Sequence, residues 1–197
     1  DGGHRMTTLD SIRDALPDYA RDLKLNLSTV LAPTGAPGLT EAQIWAVALS
    51  SAIAARNVEF AGGIEQLAAP HIGDAGVNGA RAAAAVMGMN NIYYRFLHLV
   101  EDAEYQQLPA RLRMNVIANP GISRVDFELC SLAVSAINGC GKCIASHERQ
   151  LRQQGLSREA VQSAVRIASV VHAVAGVLEY EAGRSATARA AGEAAAA

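Results

Sequence analysis

The residues best suited to chemistry lie in one stretch of the chain, around the motif Cys140-Gly141-Lys142-Cys143. Two thiols three residues apart at the start of a helix can close a disulfide within one turn. The partial positive charge and free N–H groups of a helix N-terminus favour a thiolate, and Lys142 adds positive charge. A thiolate is the species that attacks disulfides, so the motif indicates redox chemistry.

His147 and Glu128 complete a constellation around the second thiol. His147 follows Cys143 by four residues, so both side chains face the same side of one helix. An imidazole can accept a thiol proton near neutral pH. Glu128 lies on the preceding helix, where it can orient the imidazole or take the proton onward. The set is similar to a Cys-His-acid triad with a built-in second thiol.

Other readings of the same residues stay open at this point. Cys140, Cys143 and His147 could ligate zinc, with Glu128 as a fourth ligand, although no second Cys-x-x-Cys pair accompanies them. Haem attachment requires a histidine directly after the second cysteine. Ile144 occupies that position, which excludes this reading. A thioredoxin-like fold would need strands around the motif, and we find no strand pattern. A redox-sensing or metal-binding module therefore remains an alternative to an enzyme.

The other cysteine and a further histidine are weaker candidates. Cys130 lies in an apolar run with Leu129 and Leu132, which predicts a buried core residue. His172 lies within an apolar helix and is expected mainly as a core histidine, or else at the wall of the site. The segment 87–91, Met-Gly-Met-Asn-Asn, predicts a helix with tight packing at Gly88 and no metal site.

Composition indicates an all-α scaffold for these residues. Of 197 residues, 39 are alanine and only 5% are aromatic, which suits packed helices better than sheets. The chain has no uninterrupted run of about 18 apolar residues, which is the length that predicts a membrane-spanning helix. No secretion signal is visible either. The net charge of −2 gives no excess of positive charge of the kind that nucleic-acid-binding proteins carry. Three cysteines do not suit a secreted disulfide framework, so we expect a cytoplasmic protein.

Local signals divide the chain into helices. Thr8 opens a short helix that Pro17 breaks, a further turn begins at Asn26, and Thr40 with Gln43 forms a capping box. Gly155 is a natural residue to follow a helix end. The predicted longer helices span 41–56, 58–67, 77–99, 109–118, 126–137, 140–154 and 157–182, with breaks at 69–71 and 74–76.

A weak repeat at an offset of 85 residues predicts an internal duplication with copies at about 40–99 and 125–182. This offset places Ala54-Ala55-Arg56 opposite the cysteine motif, so the first copy would be purely structural. We expect one domain over residues 6–182. Residues 1–5 read as a cloning remnant, and the alanine-rich residues 183–197 are expected to form a flexible tail.

Beyond the motif, longer segments of the chain resemble the alkyl hydroperoxidase AhpD family, within the carboxymuconolactone decarboxylase-like superfamily. These segments are 114–122 (Met-Asn-Val-Ile-Ala-Asn-Pro-Gly-Ile), 127–129, 133–140, 87–91 and 23–27. The resemblance covers nearly all of the chain from Met6 to about Glu181. It implies an all-helical, internally duplicated fold and a homotrimer.

The resemblance also implies an antioxidant dithiol enzyme with no tightly bound cofactor. Electrons would come from dihydrolipoamide on the acyltransferase subunit of a 2-oxoacid dehydrogenase, and would go to hydroperoxides and to the partner peroxiredoxin AhpC. By position, Cys143 matches the thiolate that becomes a sulfenic acid. Cys140 matches the proton donor that closes the disulfide and forms the mixed disulfide with the peroxiredoxin. His147 and Glu128 match the proton relay.

Two positions depart from the best-known members of that family. Lys142 stands where they have histidine, so it could favour a thiolate by its charge but would pass protons poorly near neutral pH. Cys130 stands where they have tryptophan. A lyase of the decarboxylase type, with His147 and Glu128 as proton carriers, is the alternative enzyme, although such chemistry does not need two thiols.

Overall fold

The computed structural model describes residues 6–195, which form nine α-helices, two 3₁₀ turns and no β-strand. This confirms the all-α prediction. The 3₁₀ turns are Asp18–Ala20 and Pro33–Gly35. The helices are α1 (Leu9–Asp14), α2 (Arg21–Val30), α3 (Glu41–Ala55), α4 (Val58–Leu99), α5 (Ala103–Gln107), α6 (Asn115–Ala118), α7 (Arg124–Ile137), α8 (Gly141–Gln153) and α9 (Arg158–Ala195).

Two helices, α3 and α7, form the centre of the fold. They pack against each other, and both pack against α4 and α9. Each contains nine consecutive buried residues, 44–52 in α3 and 127–135 in α7. Alanine and serine recur in both runs, and small side chains let neighbouring helices approach on every side. A helix that is buried all round is a core helix, which gives α7 a fixed position from which to present site residues.

The internal duplication is visible in how the helices begin and end. Thr40 and Ser123 cap α3 and α7 by accepting the backbone N–H three residues on. Thr40 does so in the capping box with Gln43 that the sequence predicts. After each helix comes a left-handed residue, Arg56 at φ 69° and Gly139 at φ 67°. Each pair of positions is separated by 83 residues.

The register of the duplication differs from the predicted offset of 85. The buried runs of α3 and α7 align at an offset of 83 residues. The buried positions 77, 80, 83, 87 and 90 of α4 align at 84 with 161, 164, 167, 171 and 174 of α9. Cys140 is therefore opposite Asn57, not Ala55. The predicted offset was wrong because alanine-rich helices match one another at several registers.

Several predicted helix bounds are also corrected. α2 begins at Arg21, five residues before the predicted turn at Asn26. α4 continues through Pro70 and breaks once, at Gly73, whose φ of 62° and ψ of 179° are not helical. A short helix at Ala103–Gln107 was missed. Within the predicted helix 109–118, only Asn115–Ala118 is helical, since Arg111 takes a left-handed φ of 52°.

The last helix is longer than predicted. α9 continues to Ala195 instead of ending near residue 182, and residues 182–194 are exposed. Alanine is the best helix former, so the helix extends without burial. Flexibility of this segment stays a prediction. The predicted cloning remnant at 1–5 and the final residues 196–197 lie outside the described residues.

α9 is also the one helix among the described residues that is long and apolar enough to cross a membrane. Half of its most apolar 18-residue window is buried within the protein, where α9 packs against α2, α3 and α7. The core helix of a globular protein meets the same criterion, so length and composition alone are weak support for a span.

Gly38 holds the loop before α3 against the start of α9, and we predict that Gly38→Ala destabilises the protein. Its φ is 82°, and an added Cβ would lie 2.8 Å from the Ala160 Cβ. The combined strain and overpacking should lower the free energy of unfolding by about 1–3 kcal/mol. Gly62→Ala is the matched control, since nothing lies within 4 Å of its added Cβ. It should raise stability by about 0.5–1 kcal/mol. Equal urea midpoints for both variants would contradict the assignment.

Candidate redox site

The two cysteines of the motif meet at the start of α8. Cys140 is the N-cap residue, and its Sγ accepts a hydrogen bond from the Cys143 N–H at 3.3 Å. Their sulfur atoms are joined in a disulfide, with 5.3 Å between the Cα atoms. Gly139, at φ 67°, supplies the left-handed turn that brings Cys140 to this position. A sulfur at a helix N-cap lies where negative charge is stabilised.

Four hydrogen bonds hold this turn in place. The Cys140 N–H donates to the Ser135 carbonyl at 3.1 Å. Asn91 of α4 donates to the Ser135 hydroxyl at 2.8 Å and accepts from the Asn138 amide at 3.0 Å. The Arg95 guanidinium donates to the Asn138 carbonyl at 2.6 Å. α4 therefore fixes the backbone that carries the disulfide.

Glu128 and His147 form a close pair beside the cysteines, as their spacing suggested. Glu128 is 2% exposed, and its Oε2 lies 2.6 Å from His147 Nδ1. Its other oxygen, Oε1, lies 2.9 Å from a guanidinium nitrogen of Arg124. Arg124 also donates to the Ile117 carbonyl at 2.9 Å. A proton on Nδ1 directed at Glu128 leaves the Nε2 of the imidazole to accept or donate a proton elsewhere.

A cavity of about 360 Å³ connects these groups. Cys143, Glu128 and His147 belong to its wall, whereas Cys140 does not. Cys143 is 6% exposed and Cys140 is 0% exposed, so both are buried, and Cys143 is the one that borders the cavity. The remaining lining residues are Met87, Asn90, Tyr94, Met114, Ile117, Arg124, Lys142, Ser146 and Gln150. The cavity thus combines an apolar surface with several hydrogen-bonding groups.

Lys142, named from the sequence as an auxiliary residue, lies at the rim of this cavity. Its Nζ is 5.8 Å from the centre of the Tyr94 ring, a cation–π distance. It contributes positive charge one residue from Cys143.

Sequence reasoning missed the lining residues that come from outside the motif, and it missed Arg124. The Arg124–Glu128 spacing of four residues on one helix was a visible signal for an ion pair. Asn90 and Tyr94 are separated from the motif by about 50 residues, so no local spacing could connect them to it.

Cys130 is confirmed as a core residue. Its side chain is buried in α7, and burial raises the pKa of its thiol to about 12. A thiol of that pKa stays protonated at neutral pH, so Cys130 offers no third redox group to this site.

Two weaker expectations are wrong. His172 is exposed on α9 and lines a surface groove with Ala55, Gly88 and Ile137, so it is neither a core histidine nor part of the wall beside Cys143. The alternation of buried and exposed positions along α9 turns it outward. Gly88 is not tightly packed either, because an added Cβ there would meet nothing within 4 Å.

The geometry does not favour the zinc reading of the motif. Within residues 6–195, no three or more His, Cys, Asp or Glu side chains are grouped so that they could hold a metal ion. The two thiols that would serve as ligands are bonded to each other.

Comparison with known proteins gives consistent matches. The profile described as the carboxymuconolactone decarboxylase family matches residues 103–195. A protein of Rhodospirillum centenum named alkyl hydroperoxide reductase AhpD is 52% identical over 178 residues, which are 90% of this chain and 94% of the relative. Proteins of the same name from Frankia alni and Maricaulis maris are 52% and 50% identical. They cover 87% and 88% of this chain and 91% and 99% of their own lengths.

We predict that an alkylating reagent modifies Cys143 of the native, fully reduced protein and does not modify Cys130. Because burial raises the pKa of the Cys130 thiol to about 12, that thiol should be alkylated only after unfolding. Mass spectrometry after iodoacetamide treatment at pH 8, with and without denaturant, would measure this. Alkylation of Cys130 in the folded protein would contradict its assignment to the core.

Proposed function

The chain belongs to the alkyl hydroperoxide reductase AhpD family, and on this basis we propose that it is an antioxidant dithiol enzyme that reduces alkyl hydroperoxides. One observation carries the proposal. The Cys140–Cys143 disulfide lies at a helix N-terminus, on a cavity that also holds the Glu128–His147 pair. A carrier of electrons needs a bond that opens and closes, a route for protons and access for the substrate.

We propose that the cycle begins with a dithiol reductant, dihydrolipoamide on the acyltransferase subunit of a 2-oxoacid dehydrogenase. One of its thiolates attacks the Cys143 sulfur, the disulfide breaks, and Cys140 leaves as a thiolate. The second thiol of the reductant then attacks the mixed disulfide and releases Cys143. The reductant ends as a cyclic disulfide, and two electrons and two protons have passed to the enzyme.

In the second half of the cycle the Cys143 thiolate attacks the terminal oxygen of a hydroperoxide. The O–O bond breaks, the alkoxide takes a proton and leaves as an alcohol, and Cys143 becomes a sulfenic acid. The Cys140 thiol attacks the Cys143 sulfur and the hydroxyl leaves with a proton as water. The disulfide is then restored, and the hydroperoxide has been reduced to alcohol and water.

The burial of the thiols supports Cys143 as the sulfur that meets every external partner. The family resemblance assigns the mixed disulfide with the peroxiredoxin AhpC to Cys140. That residue is 0% exposed and does not line the cavity, whereas Cys143 does line it. We therefore propose that Cys143 attacks the peroxiredoxin disulfide and that Cys140 resolves the product.

Glu128 and His147 serve as the proton relay in this proposal. Nδ1 of His147 faces Glu128 at 2.6 Å, so Nε2 would take the Cys143 proton and later deliver protons to the leaving alkoxide and hydroxyl. Arg124 anchors the carboxylate from its other side and keeps the imidazole in one orientation. Lys142 would assist through its positive charge.

A homotrimer, as the resemblance implies, and a cytoplasmic location, as the composition suggests, complete the proposal. Exposed apolar residues support an oligomer. Ile92, Phe96 and Leu99 recur at helical spacing on α4, are 45–68% exposed, and form an apolar stripe of a kind that subunit interfaces cover.

A decarboxylase-type lyase remains the alternative, because the matching profile carries that description. The disulfide favours the redox function, since proton transfer by His147 and Glu128 would not require a second thiol in bonding contact with Cys143.

We predict that Cys143→Ser abolishes turnover with dihydrolipoamide and an alkyl hydroperoxide, because the attacking sulfur is lost. Cys130→Ala is the matched control, which removes the core thiol and should retain at least half of the activity. A coupled assay of lipoamide formation would measure both variants. Retained turnover in Cys143→Ser would refute the assignment.

We predict that Glu128→Gln slows alkylation of Cys143 at neutral pH by about tenfold or more, because a general base loses its orienting carboxylate. Arg124 is about half exposed, so water can solvate its charge in the variant. Glu148→Gln changes a partly exposed residue of α8 that does not line the cavity, and it should have no effect. Identical alkylation rates against pH in wild type and Glu128→Gln would exclude the relay.

A further inference from the structure

Asn90 presents an unused hydrogen-bonding group on the wall of the cavity. It is 4% exposed and is one of the cavity's lining residues. Its side-chain oxygen, Oδ1, is buried and accepts no hydrogen bond from any residue within 6–195. Burying a carbonyl oxygen without a partner is costly. A ligand N–H in the cavity would reach this oxygen once the side chain turns toward it, and the bond would remove that cost.

Other features of the structure do not account for this oxygen. Three further buried polar side-chain atoms among the described residues lack a partner, on Arg13, Ser51 and Ser131, and none of these residues lines the cavity. The neighbouring Asn91 is 0% exposed, yet its carboxamide bonds to Ser135 and Asn138. The two adjacent asparagines therefore differ, because Asn91 supports the backbone turn and Asn90 does not.

The surroundings of Asn90 indicate what kind of ligand would use it. Met87, Met114 and Ile117 line the same cavity and offer an apolar surface suited to a chain of methylene groups. A carboxamide is the natural partner of another amide, since its oxygen accepts from N–H and its nitrogen donates to C=O. Cys143, on the same wall, is the sulfur that a reducing thiol must reach.

We propose that Asn90 binds the amide group of the acyl-chain dithiol that reduces Cys143, with Oδ1 accepting the amide N–H. This inference rests on the proposed function, because it names the recognition of the reductant at the same disulfide. Asn90 thereby discriminates dithiols on amide-linked arms from other thiols that diffuse into the cavity.

The test compares dihydrolipoamide with the methyl ester of dihydrolipoic acid, which has the same dithiol and chain but no N–H. The wild-type disulfide should be reduced about five- to tenfold more efficiently, as kcat/KM, by the amide than by the ester. In Asn90→Leu, which keeps the branching and the number of side-chain heavy atoms and removes the polar group, this preference should disappear through a higher KM for the amide. Any loss with the ester or in the hydroperoxide step should be smaller than the loss with the amide.

Stability provides a second readout and a matched control. Asn90→Leu should keep or raise the melting temperature, because it removes a buried unpaired oxygen. Asn91→Leu breaks two buried hydrogen bonds and should lower the melting temperature, with equal effects on the amide and the ester.

Three results would overturn the proposal for Asn90. The first is an unchanged preference for the amide in Asn90→Leu. The second is that this variant is reduced more slowly by the amide and the ester to the same extent. The third is that only the hydroperoxide step slows, which would assign Asn90 to binding of the hydroperoxide. A wild-type disulfide that neither dithiol reduces would refute the proposed function itself, and the role of Asn90 with it.

Discussion

The carboxylate of Glu128 is the constraint around which the site is built. A buried negative charge is tolerated only when both oxygens have partners, because its desolvation is otherwise uncompensated. Arg124 satisfies one oxygen from the same helix, and His147 satisfies the other from α8. The contact thus ties α7 to α8 and orients the imidazole one helical turn after Cys143. The orientation of the proton carrier beside the disulfide follows from one electrostatic requirement.

The two copies of the helical unit show how one scaffold serves two purposes. At the register of 83, Asn57 and Cys140 are both N-cap residues that accept from the N–H three positions on. Buried Phe60 is opposite Cys143, and buried Trp45 is opposite Glu128. Buried aromatic side chains in the first copy therefore occupy positions at which the second copy has reactive groups. Stability and chemistry are divided between halves that share the same turns.

Local signals in the sequence predicted the parts of the structure that depend on local contacts. The capping box at Thr40, the turn before Cys140 and the pairing of His147 with Glu128 all involve residues within about one helix or hairpin of each other. Arg124 was accessible to the same reasoning. Asn91 and Arg95 were not, because their partners lie more than 40 residues along the chain, and Asn90 lies about 50 residues before the motif whose cavity it lines. Helix propensity also gave the wrong structure for two segments. Residues 109–114 were predicted helical, but a left-handed Arg111 interrupts the helix. Residues 183–195 were predicted to follow the last helix as a tail, but their alanines continue α9.

The reactive groups themselves come from one short segment, and this has a consequence for how the site forms. Arg124, Glu128, both motif cysteines and His147 span 24 consecutive positions, and the longest link among them, Glu128 to His147, closes a loop of 19 residues. Closing so short a loop costs little chain entropy, and contacts of low sequence separation form fast. The α7–α8 hairpin can therefore assemble the reactive geometry early in folding. The first copy carries no reactive group, but it supplies lining residues of the cavity and the hydrogen bonds of Asn91 and Arg95 to that hairpin, so it must keep these contacts.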